Sequence, residues 1–445
     1  MRVAVVGMGQ GGMVAGIKLA ERGHDVTIFE RNEKGQVGYD WYDDITASVF
    51  TEAGLPRLPR YAYENKGVWR FISPDEKNSL KLVPSKPFCE ISVHRRALAE
   101  YFGNLAEEAG CNILYGAPVE SLIIEEERVV GVRFCGNEEK FDLVIDASGQ
   151  NSPFRKQIPA RFGISGDCEK EGVMKGYRAF FNARENVEKP VPECNLIVKH
   201  LGGKGISWCN ALNDGIVDVL IGRIGELSDE EIRLALEDLR KNFAILPSEE
   251  PIKEYKVDIG VRCPIAAFVA DGYALIGDSA FMSMPLMGNG IESAIKAGKM
   301  FADTVINNGI FDFTAKNMWQ YQRKFFKEIG KDFVFVDMWK RFALGLDEKL
   351  VNKVFACGVI KDEDTALIAL DGITPKPTVG RVIKMCAEII VRNPKLVFKA
   401  LAFLPKAIRA MRVAGRIPHK YGKKSEKWRI KYEETIKKTD KATAK

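Results

Sequence analysis

The chain has 445 residues, 46 % of them hydrophobic, enough for two or three domains around a large core. Its net charge of +6 is uneven: residues 371–445 hold 20 Lys+Arg against 6 Asp+Glu, leaving 46 against 54 in the remainder. No uncharged apolar run reaches the roughly 18 residues of a membrane-spanning helix. The nine cysteines are scattered without a CxxC pair, which speaks against a disulfide framework or zinc site and for reduced thiols in the cytoplasm.

The first 32 residues predict a βαβ unit. "RVAVVGM" reads as a strand buried on both faces, "GGMVAGIKLAERG" as a helix ending at Gly23, and "HDVTIFE" as a second strand closing on Glu30. A glycine-patterned turn interrupts the apolar N-terminus almost at once, so it reads as a strand and not as an export signal. Gly7, Gly9 and Gly12 form a GxGxxG between strand and helix. There the first glycine permits a tight turn, the second lets a pyrophosphate approach, and the third allows close helix–strand packing. Glu30 lies 18 residues past Gly12, where a carboxylate accepts both ribose hydroxyls of an adenosine. The expected dinucleotide-binding set here is Gly7, Gly9, Gly11, Gly12, Glu30 and Arg31.

Further along, residues 92–110 read as an amphipathic helix, and "CNILYGAPVESLIIEEERVVGVRF" as short strands. "FDLVIDASGQNSPFR" is a buried strand with a turn. Four stretches between 174 and 223 predict an antiparallel sheet, and "SDEEIRLALEDLRKNF" a helix capped by Ser228. Residues 291–345 read as almost wholly helical, and the Lys-rich end from about 420 as frayed.

Three blocks carry a family likeness: Arg95 opening the helix in "SVHRRAL", the turn in "DASGQNSPFR", and "GDSAFMSMPLMGNG" with Gly277, Asp278, Pro285, Gly288 and Gly290 in step. In order and spacing, over roughly residues 1–330, the chain resembles the flavoprotein hydroxylase and reductase superfamily that includes geranylgeranyl reductases. The resemblance implies FAD. Asp278 would then accept hydrogen bonds from ribityl hydroxyls. Gly288, Asn289, Gly290 and Ile291 would open a helix toward the flavin N1–C2=O edge, where a helix N-terminus stabilises the charge of the reduced ring. Arg95 would sit by the pyrophosphate, Val119 by the adenine, and Gly149 in the second motif. Against these stand an exposed helix charge for Arg95 and plain core for Val119.

Two departures narrow the reading. Ser148 precedes Gly149 where many hydroxylases carry a DG pair, which weakens an NADPH-using hydroxylase, and the Trp-x-Trp-x-Ile-Pro stretch of flavin-dependent halogenases is missing. "GISWCNAL" is similar to the aromatic strand lining the lipid pocket of geranylgeranyl reductases. Gly205 and Trp208 match while Ile206, Asn210 and Ala211 do not, so Trp208 is a pocket wall or ordinary sheet core. "GYDWYDDI" occupies the place of a loop over the flavin, where Asp40, Trp41 and Tyr42 would supply a proton donor and an aromatic wall; the alternative is a solvated acidic loop. Met282, Met284 and Met287 are expected to line the pocket. His24, His94, His200 and His419 do not cluster in sequence, so no metal is expected. There is no second GxGxxG, so electrons are expected from a transiently bound NAD(P)H or a ferredoxin-like protein.

The segment 395–418 carries Lys395, Lys399, Lys406, Arg409, Arg412 and Arg416 in one sector of a helix, with Leu396, Leu404, Ile408 and Met411 largely outside it and Pro405 inside. Two readings stand: a helix in the interface of an anionic membrane, placing the protein peripherally at the inner face, or a helix packed on the body with its charges in water. Nucleic acid is not expected, because aliphatic anchors rather than stacking aromatics alternate with the basic residues.

The expected architecture is an α/β fold. A discontinuous Rossmann-like FAD-binding domain (1–50, 91–160 and 260–330) carries an inserted antiparallel-sheet substrate domain (51–90 and 161–259), a helical C-terminal extension (331–420) and a basic tail (421–445). The expected activity is FAD-dependent reduction of C=C bonds in an isoprenoid or other lipid-like apolar substrate. An FAD monooxygenase is the alternative, and a flavoprotein without net redox change a third reading.

Overall fold

The computed structural model describes residues 1–84, 89–164, 172–185, 187, 193–212, 214–356 and 394–443. Residues 357–393, and the side chains of Lys395 and Leu396, lie outside them. The chain has an α/β fold of mixed sheets and helices. The strand Arg2–Val6, buried from Val3 onward, runs inside a six-stranded sheet ordered Val269–Ala270, Tyr273–Leu275, Leu143–Asp146, Arg2–Val6, Asp25–Phe29, Asn112–Leu114. Its strands are parallel except for the edge strand Val269–Ala270. Parallel strands covered on both faces read as unbroken apolar runs, which is why these were visible in the sequence.

Helix Gln10–Ala20 packs against helix Ile291–Asn307 through two glycines: a Cβ on Gly298 would lie 2.2 Å from the Gly11 carbonyl oxygen. This contact joins two segments nearly 290 positions apart in the chain.

A seven-stranded sheet follows the order Lys253–Gly260, Val173–Asn182, Ile216–Ile224, Gly205–Ala211, Glu193–Val198, Val68–Ile72, Ser79–Leu82. It is antiparallel except where Val68–Ile72 runs parallel to Glu193–Val198. Between the two large sheets lies a small one, Tyr42–Thr46, Glu90–His94 and Tyr63–Asn65. Residues 92–94, expected to be helical, therefore belong to a strand: Ile91 and Val93 point inward in alternation, and the helix starts at Arg95. Helix Asp229–Asn242 carries the expected Ser228–Glu231 capping box.

The Lys-rich segment expected to fray is helical among the described residues. Residues Lys423–Thr443 form a helix whose Trp428, Tyr432 and Ile436, spaced by four, are buried. Trp428 Nε1 donates to the Val413 carbonyl at 2.8 Å, the Tyr432 hydroxyl to the Pro264 carbonyl at 2.7 Å, and Phe326 packs on both rings. Lys423, Lys424, Lys427, Lys431, Lys437 and Lys438 face outward, so a basic composition concealed an aromatic stripe.

Helix Lys331–Leu344 is anchored by a buried charge cluster. Asp337 accepts from Arg341 Nε at 3.1 Å and from the Cys263 amide at 3.1 Å, with Lys340 Nζ at 3.0 Å. Lys340 also donates to the Val261 carbonyl. Burial pushes the Asp337 carboxyl up, but Lys340 and Arg341 outweigh it and hold its pKa well below the usual carboxylate range. Asp337→Ala leaves two cations short of their partner and is expected to cost about 3–5 kcal/mol in chemical denaturation. Because the folded pKa is depressed, the wild-type contribution is complete above the ordinary aspartate pKa. It is lost progressively as pH falls below that value, so the gap between wild type and D337A narrows in acid.

Candidate active site

The glycine turn owes its composition to a neighbouring strand end. Gly7 has φ +86°, and its amide donates to the Phe29 carbonyl at 2.7 Å. A Cβ on Gly9 would lie 2.6 Å from the Ala147 carbonyl oxygen, and one on Gly12 would lie 2.4 Å from the Ala147 Cβ. Glu30 holds this turn from the other side: it accepts from the Met8 amide at 3.0 Å, and from the Asn32 amide and side chain at 2.9 and 2.7 Å.

Ala147 is fixed in turn by Asp146, which is fully buried. Asp146 accepts from the Ser148 amide and hydroxyl at 3.0 and 2.7 Å, from Ser152 at 2.5 Å and from Tyr273 at 2.5 Å. The carboxylate is thus a structural hub that presents Gly149, φ +94°, to the open space beside the turn.

Opposite stands "GDSAFMSMPLMGNG". Asp278 accepts from the Ser283 hydroxyl, and its side chain faces a cavity. A Cβ on Gly290, the residue before helix Ile291–Asn307, would meet Ser283 Oγ at 2.5 Å and Asp278 Oδ1 at 2.9 Å. Asn289 accepts from the Ile291 amide at 3.3 Å and donates across the cavity seam to the Asp44 carbonyl at 2.8 Å. The expected methionine wall is mostly absent. Met282 and Met284 are core residues, and the Met282 sulfur accepts from the Gly277 amide at 3.3 Å and lies 3.7 Å from the Tyr321 hydroxyl. Met287 faces the cavity, joined by Met174 from the seven-stranded sheet.

That cavity, of about 350 Å³, brings most of the expected residues together. Gly9, Gly11, Arg95, Gly149, Asp278, Gly288, Asn289, Gly290 and Ile291 line it, as do Trp41, Tyr42, Trp208 and Met287. Gly7, Gly12, Glu30, Arg31 and Val119 do not. The two glycines press on Ala147, Glu30 serves the turn and Asn32, Arg31 points to solvent, and Val119 begins the strand Val119–Glu125.

The acidic stretch after Gly38 is no solvated loop. Asp40 is paired with Arg96 and with Lys253, whose hydrogen bonds hold its pKa well below the carboxylate range, and it does not reach the cavity. A proton-donor role for Asp40 is thereby corrected. Asp43 accepts from Arg95 Nη1 at 2.8 Å and Arg178 Nη1 at 3.3 Å. Asp44 accepts from Trp69 Nε1 at 2.8 Å and the Ser92 hydroxyl at 2.5 Å, with Lys66 Nζ at 3.8 Å. Burial raises the Asp44 pKa, against Lys66 and the two hydrogen bonds.

Sequence reasoning missed Arg178 and Asp218. The buried guanidinium makes a bidentate pair with Asp218 at 3.0 and 2.8 Å and lies 4.6 Å from the Trp41 ring centre and 5.4 Å from that of Trp208. The available signal was a charge inside each of two apolar strands, "KGYRAFF" and "GIVDVLIG", which burial tolerates only in pairs. Away from the cavity, Glu76, His200 and Asp238 each bring a ligand atom within 4.8 Å of the others. His200 Nε2 already pairs with Asp238 at 2.9 Å, and Asn242 donates to both carboxylates.

The cavity's residues fit FAD. Bare backbone lies on both walls where a Cβ would collide, two helices open onto the space, and Asp278 offers a carboxylate acceptor. Arg95 Nε is buried without a protein hydrogen-bond partner, a donor left over beside that space.

Comparison with known proteins agrees. Residues 1–302 match the FAD binding domain family. The chain is 24 % identical over 419 residues to digeranylgeranylglycerophospholipid reductase 2 of Methanopyrus kandleri, covering 88 % of this chain and 97 % of that protein. It is 25 % identical over 415 residues to the digeranylgeranylglycerophospholipid reductase of Methanothrix thermoacetophila, covering 89 % and 97 %. Among solved structures, a geranylgeranyl bacteriochlorophyll reductase-like protein from Thermoplasma acidophilum superposes with a TM-score of 0.72 at 19 % identity, over 90 % of this chain and 98 % of that one. With its glycine turn, its GD block and a match over residues 1–302, the chain belongs to the FAD binding domain family, and FAD is its cofactor.

Proposed function

We propose that this flavoprotein reduces C=C bonds of an isoprenoid or other lipid-like apolar substrate, with electrons from a nicotinamide nucleotide or a ferredoxin-like protein. The observation that carries this reading is the continuity of the cavity. The glycines of both cofactor blocks form one side, and Leu196, Ile206, Trp208 and Leu220 of the seven-stranded sheet form the other. The full-length similarity to proteins named as reductases of digeranylgeranylglycerophospholipid supports the choice of reaction. Bound FAD supplies a two-electron carrier that delivers hydride once reduced. The chain's own part is to position and desolvate. The Trp41–Arg178–Trp208 stack rigidifies the wall facing the substrate, and the Asp218 and Asp43 carboxylates neutralise Arg178 within it.

Anaerobic turnover with a chemical reductant is expected to yield product with the double bond saturated; strict dependence on oxygen and a hydroxylated product would establish a monooxygenase instead. Asp278→Ala removes an acceptor from the cofactor side and is expected to weaken FAD binding about 10–150-fold in a fluorescence titration of apoprotein, the cost of about 1.5–3 kcal/mol for a lost hydrogen bond to a charged group.

The basic segment supports a peripheral membrane contact as part of the same reading. Helix Pro394–Gly415 packs on Lys331–Leu344, with Phe403 against Trp339 and Phe342, and its Ala407, Ala410 and Ala414 are buried. Its outer face exposes Lys399, Lys406, Arg409 and Arg412, while Leu401 (61 %), Leu404 (39 %) and neighbouring Trp339 (40 %) are exposed apolar anchors. Helix Lys423–Thr443 is packed into the body, so charge reversal tests this better than truncation. K399E/K406E/R409E is expected to abolish salt-sensitive co-sedimentation with anionic vesicles, and equal pelleting of both proteins would sink the membrane contact.

A further inference from the structure

A reductase of isolated double bonds needs an acid as well as a hydride, and the cavity holds seven carboxylates: Asp43, Asp44, Glu64, Asp214, Asp218, Asp258 and Asp278. Most are committed elsewhere. Asp43 lies between Arg95 and Arg178, Asp218 is bidentate to Arg178, and Asp258 pairs with Lys175. Asp278 accepts from Ser283 on the cofactor side, and Asp214 accepts from the Ile216 amide.

Asp44 differs in its partners and its place. Its hydrogen bonds come from neutral donors, Trp69 and Ser92, and its nearest cation, Lys66, sits closer to Glu90, at 2.6 Å against 3.8 Å. The Ser92 hydroxyl can donate to the carboxylate or accept from the carboxylic acid, so it serves both protonation states. Two hydrogen bonds fasten the strand Tyr42–Thr46 to the start of helix Ile291–Asn307: Asn289 to the Asp44 carbonyl at 2.8 Å, and the Thr46 amide to Glu292 at 2.6 Å. This seats Asp44 at the seam between the cofactor wall and the Trp69–Trp208 aromatic pair, whose ring centres are 5.6 Å apart. A fifth of its side chain is open.

We propose that Asp44 is the acid that protonates the substrate double bond. This rests on the reductase reading above. The π pair takes the Asp44 proton to form one C–H bond, and hydride from FAD, reduced beforehand by the nicotinamide or ferredoxin-like donor, forms the other. The substrate gains two hydrogens and the cofactor is oxidised. Asp44 is left as a carboxylate, stabilised by Trp69, Ser92 and Lys66, and regains a proton from cavity water after product leaves. An apolar substrate displaces that water during turnover and favours the neutral acid. The charged and titratable groups around it are Asp43 on its own strand, Lys66 with its partner Glu90, and Cys194 on the seven-stranded sheet.

The test has a spectroscopic and a kinetic arm. In protein with 13C-labelled aspartate, infrared titration of the wild type is expected to show a carboxyl titrating above the ordinary aspartate range. That signal should be missing from D44N and displaced further upward in W69F, which removes a hydrogen bond to the carboxylate. In anaerobic turnover of a polyprenyl substrate, D44N holoenzyme is expected to lose about 10²–10⁴-fold in rate while retaining its FAD absorbance. The proposal is overturned if D44N turns over within about tenfold of wild type, or if no aspartate carboxyl of the wild type titrates above the ordinary range. The second measurement decides even if D44N fails to fold. Failure of the wild type itself to saturate any polyprenyl substrate would overturn the reductase reading, whereas equal turnover by wild type and D44N overturns the acid alone.

Discussion

The structure depends on how closely three distant backbone segments approach one another. Residues 7–12, Ala147 and residues 276–298 meet with little room for added side-chain atoms at Gly9, Gly11, Gly12 and Gly298. Ala147 touches the sites where Gly9 and Gly12 would carry a Cβ, Ala294 lies 2.7 Å from that of Gly11, and Gly11 blocks Gly298. Interiors are packed to near-crystalline density, so such contacts are discrete and cannot relax by small adjustments. They set the distance between the two helix N-termini that open onto the cavity, and hence where a dinucleotide can lie.

A second constraint is electrostatic. The cavity wall collects more acids than bases, and Asp43 and Asp218 among those acids are matched locally by arginine. Arg178 is shared by Asp218 and Asp43, Asp43 is shared in turn with Arg95, and Asp40 is held outside by Arg96 and Lys253. Each pairing commits one carboxylate to an ion pair. What distinguishes Asp44 is the combination of an indole and a hydroxyl donor with a place at the seam between the cofactor wall and the Trp69–Trp208 pair. Function is therefore apportioned among similar side chains by their neighbours.

Much of the cofactor side was legible in the sequence. Glycines at 7, 9 and 12 follow from local backbone demands in a strand–turn–helix context, and the GD block was found by resemblance, whereas Glu30, read as a ribose acceptor, accepts from the Met8 amide and from Asn32. Other features were misread where local composition pointed the wrong way. Lysines hid the buried stripe of Trp428, Tyr432 and Ile436, and the helix-like run through His94 hid a strand that alternates Ile91 and Val93 inward. Met282 and Met284 looked like pocket wall because methionine suits one, yet the turn at Gly277 folds them into the core.

The sequence by itself determined the parallel sheet, the glycine turn and the helix opened at Gly290, because each is encoded within a few residues by periodicity or by the absence of a Cβ, and its resemblance to a flavoprotein superfamily implied the cofactor class. Only the tertiary structure decided the cavity wall opposite the glycines. Arg178 lies 40 positions from Asp218 and 135 from Asp43, Asp44 lies 25 positions from Trp69 and 48 from Ser92, and Asn289 reaches back 245 positions to Asp44. A hydrogen-bond partner is chosen by proximity in space, and sequence periodicity carries no record of it across such separations.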